Sequence, residues 1–292
     1  MEKHIYVISD LHLNDKGDRD EFSYFGNEKK LFALIDHIRK RGDRLIVLGD
    51  LFEFWQGNMG AILTARKDIL DALATLDVQY VIGNHDIDLQ PMVGCDHLSH
   101  PFFKRMVHPF IETIGGKKFK FMHGHEVDPF NCELVPGWGR MMSIFAGVYK
   151  DRLQCPVVDG GKMTADAYLE QWGERFLTLW NCFVGTFKRK ATLGYKPVRS
   201  FLTPAQNNAR IKEHIAFVHM NKVKEGYDRA VVGHTHVPGQ YKEWYLNSGA
   251  WVNGITTLLV ISPSGNAKVL HWENGSVPFH NNTMVLPKNI KL

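Results

Sequence analysis

The chain reads as an α/β protein, a four-layer α/β/β/α sandwich carrying a helical insert, and three observations predict this. Apolar β-branched runs alternate with helical patterns in the first third, which is the signature of βαβ units. The last quarter switches to short alternating runs separated by Gly, Pro and Asn, the pattern of antiparallel strands. Between them, a stretch from Pro129 to about Gly226 has helical periodicity and interrupts the alternation.

The elements follow in order. HIYVIS opens as a strand, and EKKLFALIDHIRKRG then spaces Leu31, Leu34, Ile35 and Ile38 as a helix that lays one face on a sheet. Gly42 ends that helix. RLIVLG, a helix from Ala61 to Leu76 and VQYVIG complete a βαβαβ run whose crossovers should be right-handed. KFKFM and RAVVG are further strands, and YKEWYLNSGAWV, GITTLLVISP and NAKVLHWENG read as an antiparallel meander.

Residues 1–128 and 227–292 therefore form the expected core, with 129–226 as a helical cap. Inside the cap, Trp138, Met141, Met142, Phe145, Val148 and Tyr149 form one amphipathic stripe, and Tyr168, Leu169, Trp172, Phe176, Leu179, Trp180, Phe183 and Phe187 a second. A third helix is expected from Ala205 to Lys224, with Ile211, Ile215, Val218 and Val223 on its apolar face and Thr203-Pro204 as cap and first turn. From Arg140 to Lys224 there are 14 Lys and Arg against 6 Asp and Glu, about +8, whereas the whole chain is +4. A basic, aromatic-rich cap suits an anionic substrate with an apolar part, and Lys188, Arg189 and Lys190 are candidate contacts for phosphate headgroups. The plainer reading is that the stripes are the subdomain's own core and the basic run a solvated face.

Composition narrows the class. With 292 residues, 44% hydrophobic and 23% charged, the chain can bury one large core or a core with an appended subdomain. No basic start followed by a long apolar run precedes the first strand, and no stretch reaches the ~18 consecutive apolar residues of a membrane span. These features predict a cytoplasmic chain that at most touches the inner face of a membrane. Cys95, Cys132, Cys155 and Cys182 lack a C-x-x-C pair and read as reduced thiols.

Five short blocks carry the chemistry: Asp10-Leu11-His12, Gly49-Asp50, Gly83-Asn84-His85-Asp86, His123-Gly124-His125 and Gly233-His234-Thr235-His236. Each follows a strand-like run, and strand carboxyl ends are where loops converge into sites on a rigid sheet. Alone, each block has an ordinary explanation: a capping aspartate in a turn, or an Asn that accepts positive φ. Together and in this order they supply Asp, Asn and neutral His donors for divalent cations. Two cations about 3.5 to 4 Å apart need a carboxylate that reaches both, and Asp50 is the candidate bridge. The donor set suits manganese, and also iron, zinc or nickel. His125 is a candidate substrate contact, or a solvated loop residue. His4, His37, His97, His100, His108, His214, His219, His271 and His280 lack ligand spacing and read as surface or packing residues.

The ordered series D-x-H, GD, GNHD, H-G and G-H-x-H resembles the calcineurin-like metallophosphoesterase superfamily over about residues 4 to 126 and 228 to 262. That resemblance implies one cation on Asp10, His12, Asp50 and His236, and a second on Asp50, Asn84, His123 and His234. It places His85 facing the leaving group, held by Asp86. SDLHL, GDLFEFW, MHG, GHTHVP and NSGAWV further resemble the UDP-2,3-diacylglucosamine pyrophosphatases of lipid A synthesis, which also carry a helical insert between the fourth and fifth blocks. The implied reaction is hydrolysis of a pyrophosphate bond in a nucleotide-linked acylated sugar, giving UMP and a lipid phosphate (lipid X). The chain departs from that group where His85 stands, often Arg there, and in its longer insert.

In the implied mechanism two cations lower the pKa of a shared water, so that no protein base is needed, and His85 as an imidazolium assists the leaving group. The expected partner is a phosphorylated small molecule or lipid, with peripheral membrane contact; the oligomeric state is open. A phosphatase or phosphodiesterase of other specificity is the alternative, with the insert as a protein-interaction module. Protein phosphatase is disfavoured, because GDLFEFW lacks the Arg expected after the bridging aspartate. A nuclease is disfavoured by the modest overall charge.

Overall fold

A computed structural model describes residues 3–17, 20–128, 204–252 and 256–272. Strand β1 (Ile5–Ile8) is followed by α1 (Glu21–Tyr24), α2 (Asn27–Arg41), β2 (Arg44–Leu48), α3 (Met59–Ala65), α4 (Lys67–Ala74) and β3 (Asp77–Val81). Then come β4 (Met106–Val107), β5 (Phe110–Ile114), β6 (Lys117–Phe121), α5 (Pro204–Glu225), β7 (Arg229–Val232), β8 (Gly239–Tyr241), β9 (Tyr245–Asn247), β10 (Thr257–Ile261) and β11 (Ala267–His271). The strands form two sheets, ordered β11-β10-β1-β2-β3-β4 and β5-β6-β7-β9-β8.

Strand alternation builds the four layers. In β1, Tyr6 and Ile8 face the helices, joining Leu31, Leu34, Ile35 and Ile38 of α2 and Ile69, Leu70 and Leu73 of α4. Ile5 and Val7 face the other way, with Ile46 and Leu48 of β2, and meet Phe119, Phe121, Val231 and Leu246 of the second sheet. On the far side of that sheet, Ala230, Val232, Tyr241 and Tyr245 pack against Ile211, Ile215 and Val218 of α5. Each fully buried Leu, Ile or Val contributes about 1.5–3 kcal/mol, so losing the α2 stripe would unseat the outer layer. The α/β/β/α order expected from the sequence is the observed one.

Details differ from the sequence reading. The helix expected from Ala61 to Leu76 is two helices, broken at Arg66. Its guanidinium is buried there, donating to the Asn14 carbonyl and pairing with Asp20 and Glu28. The C-terminal strands are not one meander. β8 and β9 form an antiparallel pair at the edge of the second sheet, whereas β10 crosses to the first and pairs antiparallel with β1. Helix α5, assigned above to the insert, is the fourth layer; Val223, expected on its apolar face, is exposed. The two aromatic stripes and Lys188, Arg189 and Lys190 lie outside the described residues. No described helix is long and apolar enough to cross a membrane.

Candidate metal centre

The five blocks meet at the carboxyl ends of β1, β2, β3, β6 and β7, where the chain leaves the sheets through short turns. Those turns are strained in a telling way. Asp10, His12, Asp50, His234 and His236 all have positive φ, between 47° and 65°. Such a backbone costs a non-glycine residue about 1–2 kcal/mol, and the rest of the fold must hold it. Gly49, at φ +82°, makes room for the neighbouring ring, since a β-carbon there would overlap His123.

Among the described residues the side chains gather into three overlapping groups of ligating atoms. Asp10, His12 and His236 form the first and Asp50, His123 and His234 the second, while His12, Asp50 and His85 form a third that links them, with the atoms in each within 4.8 Å of one another. In the first, His12 Nε2 lies 3.2 Å from His236 Nε2, and Asp10 Oδ1 lies 3.1 Å from His236 Nε2 without hydrogen-bond geometry. In the second, Asn84 Oδ1 is 3.2 Å from His123 Nε2 and 3.1 Å from His234 Nδ1. Asp50 faces both: its Oδ2 is 3.2 Å from His123 Nε2 and 3.8 Å from His12 Nε2, while its Oδ1 accepts the His85 amide at 2.8 Å.

The outward ring nitrogens are already engaged, which fixes which nitrogen faces the centre. His123 Nδ1 donates to the Leu48 carbonyl at 2.8 Å, His12 Nδ1 to Glu53 Oε2 at 2.9 Å, and His234 Nε2 to Asp128 Oδ2 at 2.8 Å. Each ring, neutral in that tautomer, turns a lone pair inward, as metal ligation requires. Two nitrogens pointing at each other across 3.2 Å, and a buried carboxylate oxygen lacking a hydrogen bond, are what a cation would reconcile. The donor set therefore fits two divalent cations.

Electrostatics agree. Burial pushes the His12 and His123 rings toward neutrality, but the carboxylates of Glu53, Asp50 and Asp10 outweigh it and raise His12 to about 9 and His123 to about 10. Burial disfavours ionised Glu53, yet His85 and His12 bring it down to about 2. The site is an anionic pocket that holds protons where cations would sit.

His85 lies beside this centre, its ring stacked on Trp55 with centroids 3.9 Å apart and planes 26° apart. The expected hold by Asp86 is replaced. Asp86 Oδ1 accepts the Gly83 amide and Oδ2 the Leu51 and Phe52 amides and the Tyr80 hydroxyl, so the carboxylate is spent on tying two loops together. The carboxylate against His85 Nδ1 is that of Glu53, at 2.7 Å but without hydrogen-bond geometry. Glu53 sits inside the GDLFEFW block, but no spacing rule marks it. His125 is buried, not solvated, and burial lowers its ring to about 4. His214, read as packing, is buried on α5 and bridges the Tyr245 hydroxyl and the Gly124 carbonyl.

NSGAWV supports the site from below. Asn247 Nδ2 donates to the Gly233 carbonyl at 2.8 Å, Ser248 meets Ser9 at 2.8 Å, and the Trp251 amide donates to the Asp10 carbonyl at 3.0 Å.

The family model for calcineurin-like phosphoesterases matches residues 3–238. The chain belongs to that family. By family it is a metallophosphoesterase, a hydrolase whose class uses a dinuclear divalent metal centre. Among relatives, a UDP-2,3-diacylglucosamine hydrolase of Porphyromonas gingivalis is 25% identical over 131 residues, 43% of this chain and 47% of that protein. One of Haemophilus influenzae is 32% identical over 92 residues, 29% of this chain and 34% of that protein. The chain thus matches half or less of the length of these relatives. A dimetal phosphatase of Danio rerio superposes with a TM-score of 0.45 at 13% identity, covering 93% of this chain and 99% of that one.

Proposed function

We propose that this metallophosphoesterase hydrolyses a lipid-linked or nucleotide-linked diphosphate, UDP-2,3-diacylglucosamine or a close analogue, to UMP and a lipid phosphate. One observation carries the reaction type. A buried carboxylate, Asp50, shares one group of ligating atoms with His12 and another with His123 and His234, which is the arrangement a two-cation phosphoester site needs. The substrate class is supported by the names of the two relatives and by the basic, aromatic composition of the insert. Asp10, His12, Asp50 and His236 would hold one cation and Asp50, Asn84, His123 and His234 the other, with manganese the first choice.

When bound, the pair activates a water and neutralises charge on the phosphoryl oxygens. The chain's own residues do the rest. His85, partly exposed beside the centre, donates a proton to the leaving oxygen or a hydrogen bond to the phosphoryl group, an effect of about 10² to 10⁴ in rate. Asn84 stays neutral at every pH and keeps the centre's net charge favourable for an anion. Asp86 holds the loop that presents His85. His125, Lys188, Arg189 and Lys190 are the proposed substrate contacts, the last three at a cytoplasmic membrane surface.

The test is a screen with manganese of acylated and unacylated nucleotide diphosphate sugars against simple phosphomonoesters and phosphodiesters. The acylated sugar should have the highest kcat/KM. Reversing the charge of Lys188, Arg189 and Lys190 should raise KM for it and weaken its salt dependence, while sparing a small diester. Turnover of simple esters alone, or equal losses on both substrates, would reject the lipid substrate.

A further inference from the structure

Glu53 is a buried carboxylate whose two oxygens are divided between distinct tasks. Oε1 accepts the Gln56 amide at 3.2 Å, which pins the side chain to its own turn. Oε2 alone serves two imidazoles, accepting a hydrogen bond from His12 Nδ1 at 2.9 Å and lying 2.7 Å from His85 Nδ1 as a close charge contact without hydrogen-bond geometry. The two rings it joins are edge to face, 89° apart with centroids at 4.6 Å. On the other side, the Trp55 indole stacks on His85. His85 is therefore clamped between an anion at Nδ1 and an aromatic face, and ring geometry directs its Nε2 away from Glu53.

We propose that Glu53 is a positioning residue that couples the metal centre to His85, setting the orientation of the general acid through the same oxygen that orients the ligand His12. This rests on the reading of His85 as the acid in phosphoester hydrolysis. Two features of the geometry argue for it. Asp86, the adjacent acid, is fully engaged with three backbone amides and the Tyr80 hydroxyl, so Glu53 is the carboxylate in contact with His85 among the described residues. And a carboxylate buried this deeply keeps its charge only against cationic or donating partners, which here are the two rings and the Gln56 amide. Removing its charge should disturb His85 more than His12, because His12 keeps its place through its other nitrogen between Asp10 and His236, whereas His85 is held by Glu53, the Trp55 face, the His12 edge, its backbone amide and a looser approach to Asp50.

The experiment is a double-mutant cycle on the full chain with Glu53→Gln, His85→Asn and the pair, loaded with manganese. Bis(4-nitrophenyl) phosphate provides a leaving group that needs no proton, and diphenyl phosphate one that does. Glu53→Gln should retain two cations per chain and leave KM nearly unchanged, while lowering kcat about 10- to 100-fold on diphenyl phosphate and much less on the nitrophenyl ester. In the His85→Asn background the same change should cost nothing further. Additive losses, equal losses on both esters, or loss of a cation in Glu53→Gln would overturn the proposal; loss of a cation in His85→Asn would make His85 a ligand and overturn it as well.

A readout independent of turnover separates this from the functional reading. In the zinc-loaded chain with ¹⁵N-labelled histidine, Glu53→Gln should shift the His85 Nδ1 resonance as well as that of His12. An unmoved His85 resonance would reject the coupling even in an active enzyme. If neither ester is turned over by the natural chain, the resonance alone decides whether Glu53 holds His85, and the hydrolase reading is judged on the acylated nucleotide diphosphate sugar instead.

Discussion

Gly83 lies so close to Asp50 that a β-carbon on it would overlap both the Oδ1 oxygen and the amide nitrogen of that residue. The backbone of the Gly83-Asn84-His85-Asp86 turn thus packs directly on the aspartate that faces both ligand groups. The nitrogen is backbone and the oxygen is held by the His85 amide at 2.8 Å, so neither can yield cheaply. Gly83→Ala should destabilise the fold by about 1–3 kcal/mol. It should also lower cation occupancy, because Asp50 must move. Urea unfolding and metal analysis check this; a variant of natural stability with two cations would show that the turn adapts.

How much of this was legible in the sequence depended on whether the signal was local. The α2 stripe of Leu31, Leu34, Ile35 and Ile38 is periodic, and all four residues are buried as expected. The ligand blocks follow strand runs, and their side chains converge because those strands end on one rim. Glu53 was not legible, since its role depends on His12 and His85 arriving from two other loops. Asp86 misled for a related reason: adjacency in sequence to His85 says nothing of where a carboxylate points, and backbone amides from the Asp50 loop claim it. The break at Arg66 was hidden because its partners, Asp20 and Glu28, are far away in the chain.

Asp50→Asn should leave fewer than two cations bound and reduce turnover by about 10²–10³-fold or more. The amide keeps an oxygen for the His85 N–H, so the fold should survive with its circular dichroism unchanged. Metal content and kcat measured on the same preparation test the assignment together. Two tightly bound cations with near-normal turnover would show that Asp50 is not the bridge.

The strained turns make a separate prediction about stability without metal. His236 has φ 56°, and its side chain is 39% exposed, so little packing is lost when it is replaced. Glycine adopts this backbone without penalty, whereas alanine does not. In the metal-stripped chain, His236→Gly should be more stable than His236→Ala by about 1 kcal/mol. Thermal melts in chelator compare the two; equal melting temperatures would mean that the turn relaxes once the imidazole is gone.

The last expectation concerns pH. With cations removed, the carboxylates of Glu53, Asp50 and Asp10 overcome the cost of burial and raise His12 to about 9 and His123 to about 10, above the ordinary 6.5. A raised value means the folded chain holds protons that the unfolded chain releases. The resulting stability is complete below about pH 6.5 and is lost as pH climbs through 9 and 10. Deprotonation there leaves buried carboxylates facing one another with no counter-charge. The metal-stripped chain should therefore melt at a lower temperature at pH 10 than at pH 7. Divalent cations replace those protons, so the loaded chain should lose less over the same interval, and cation binding should strengthen as pH rises. Melting curves with chelator and with manganese at both pH values check the sign; a stripped chain that is more stable at pH 10 would contradict the carboxylate-paired histidines.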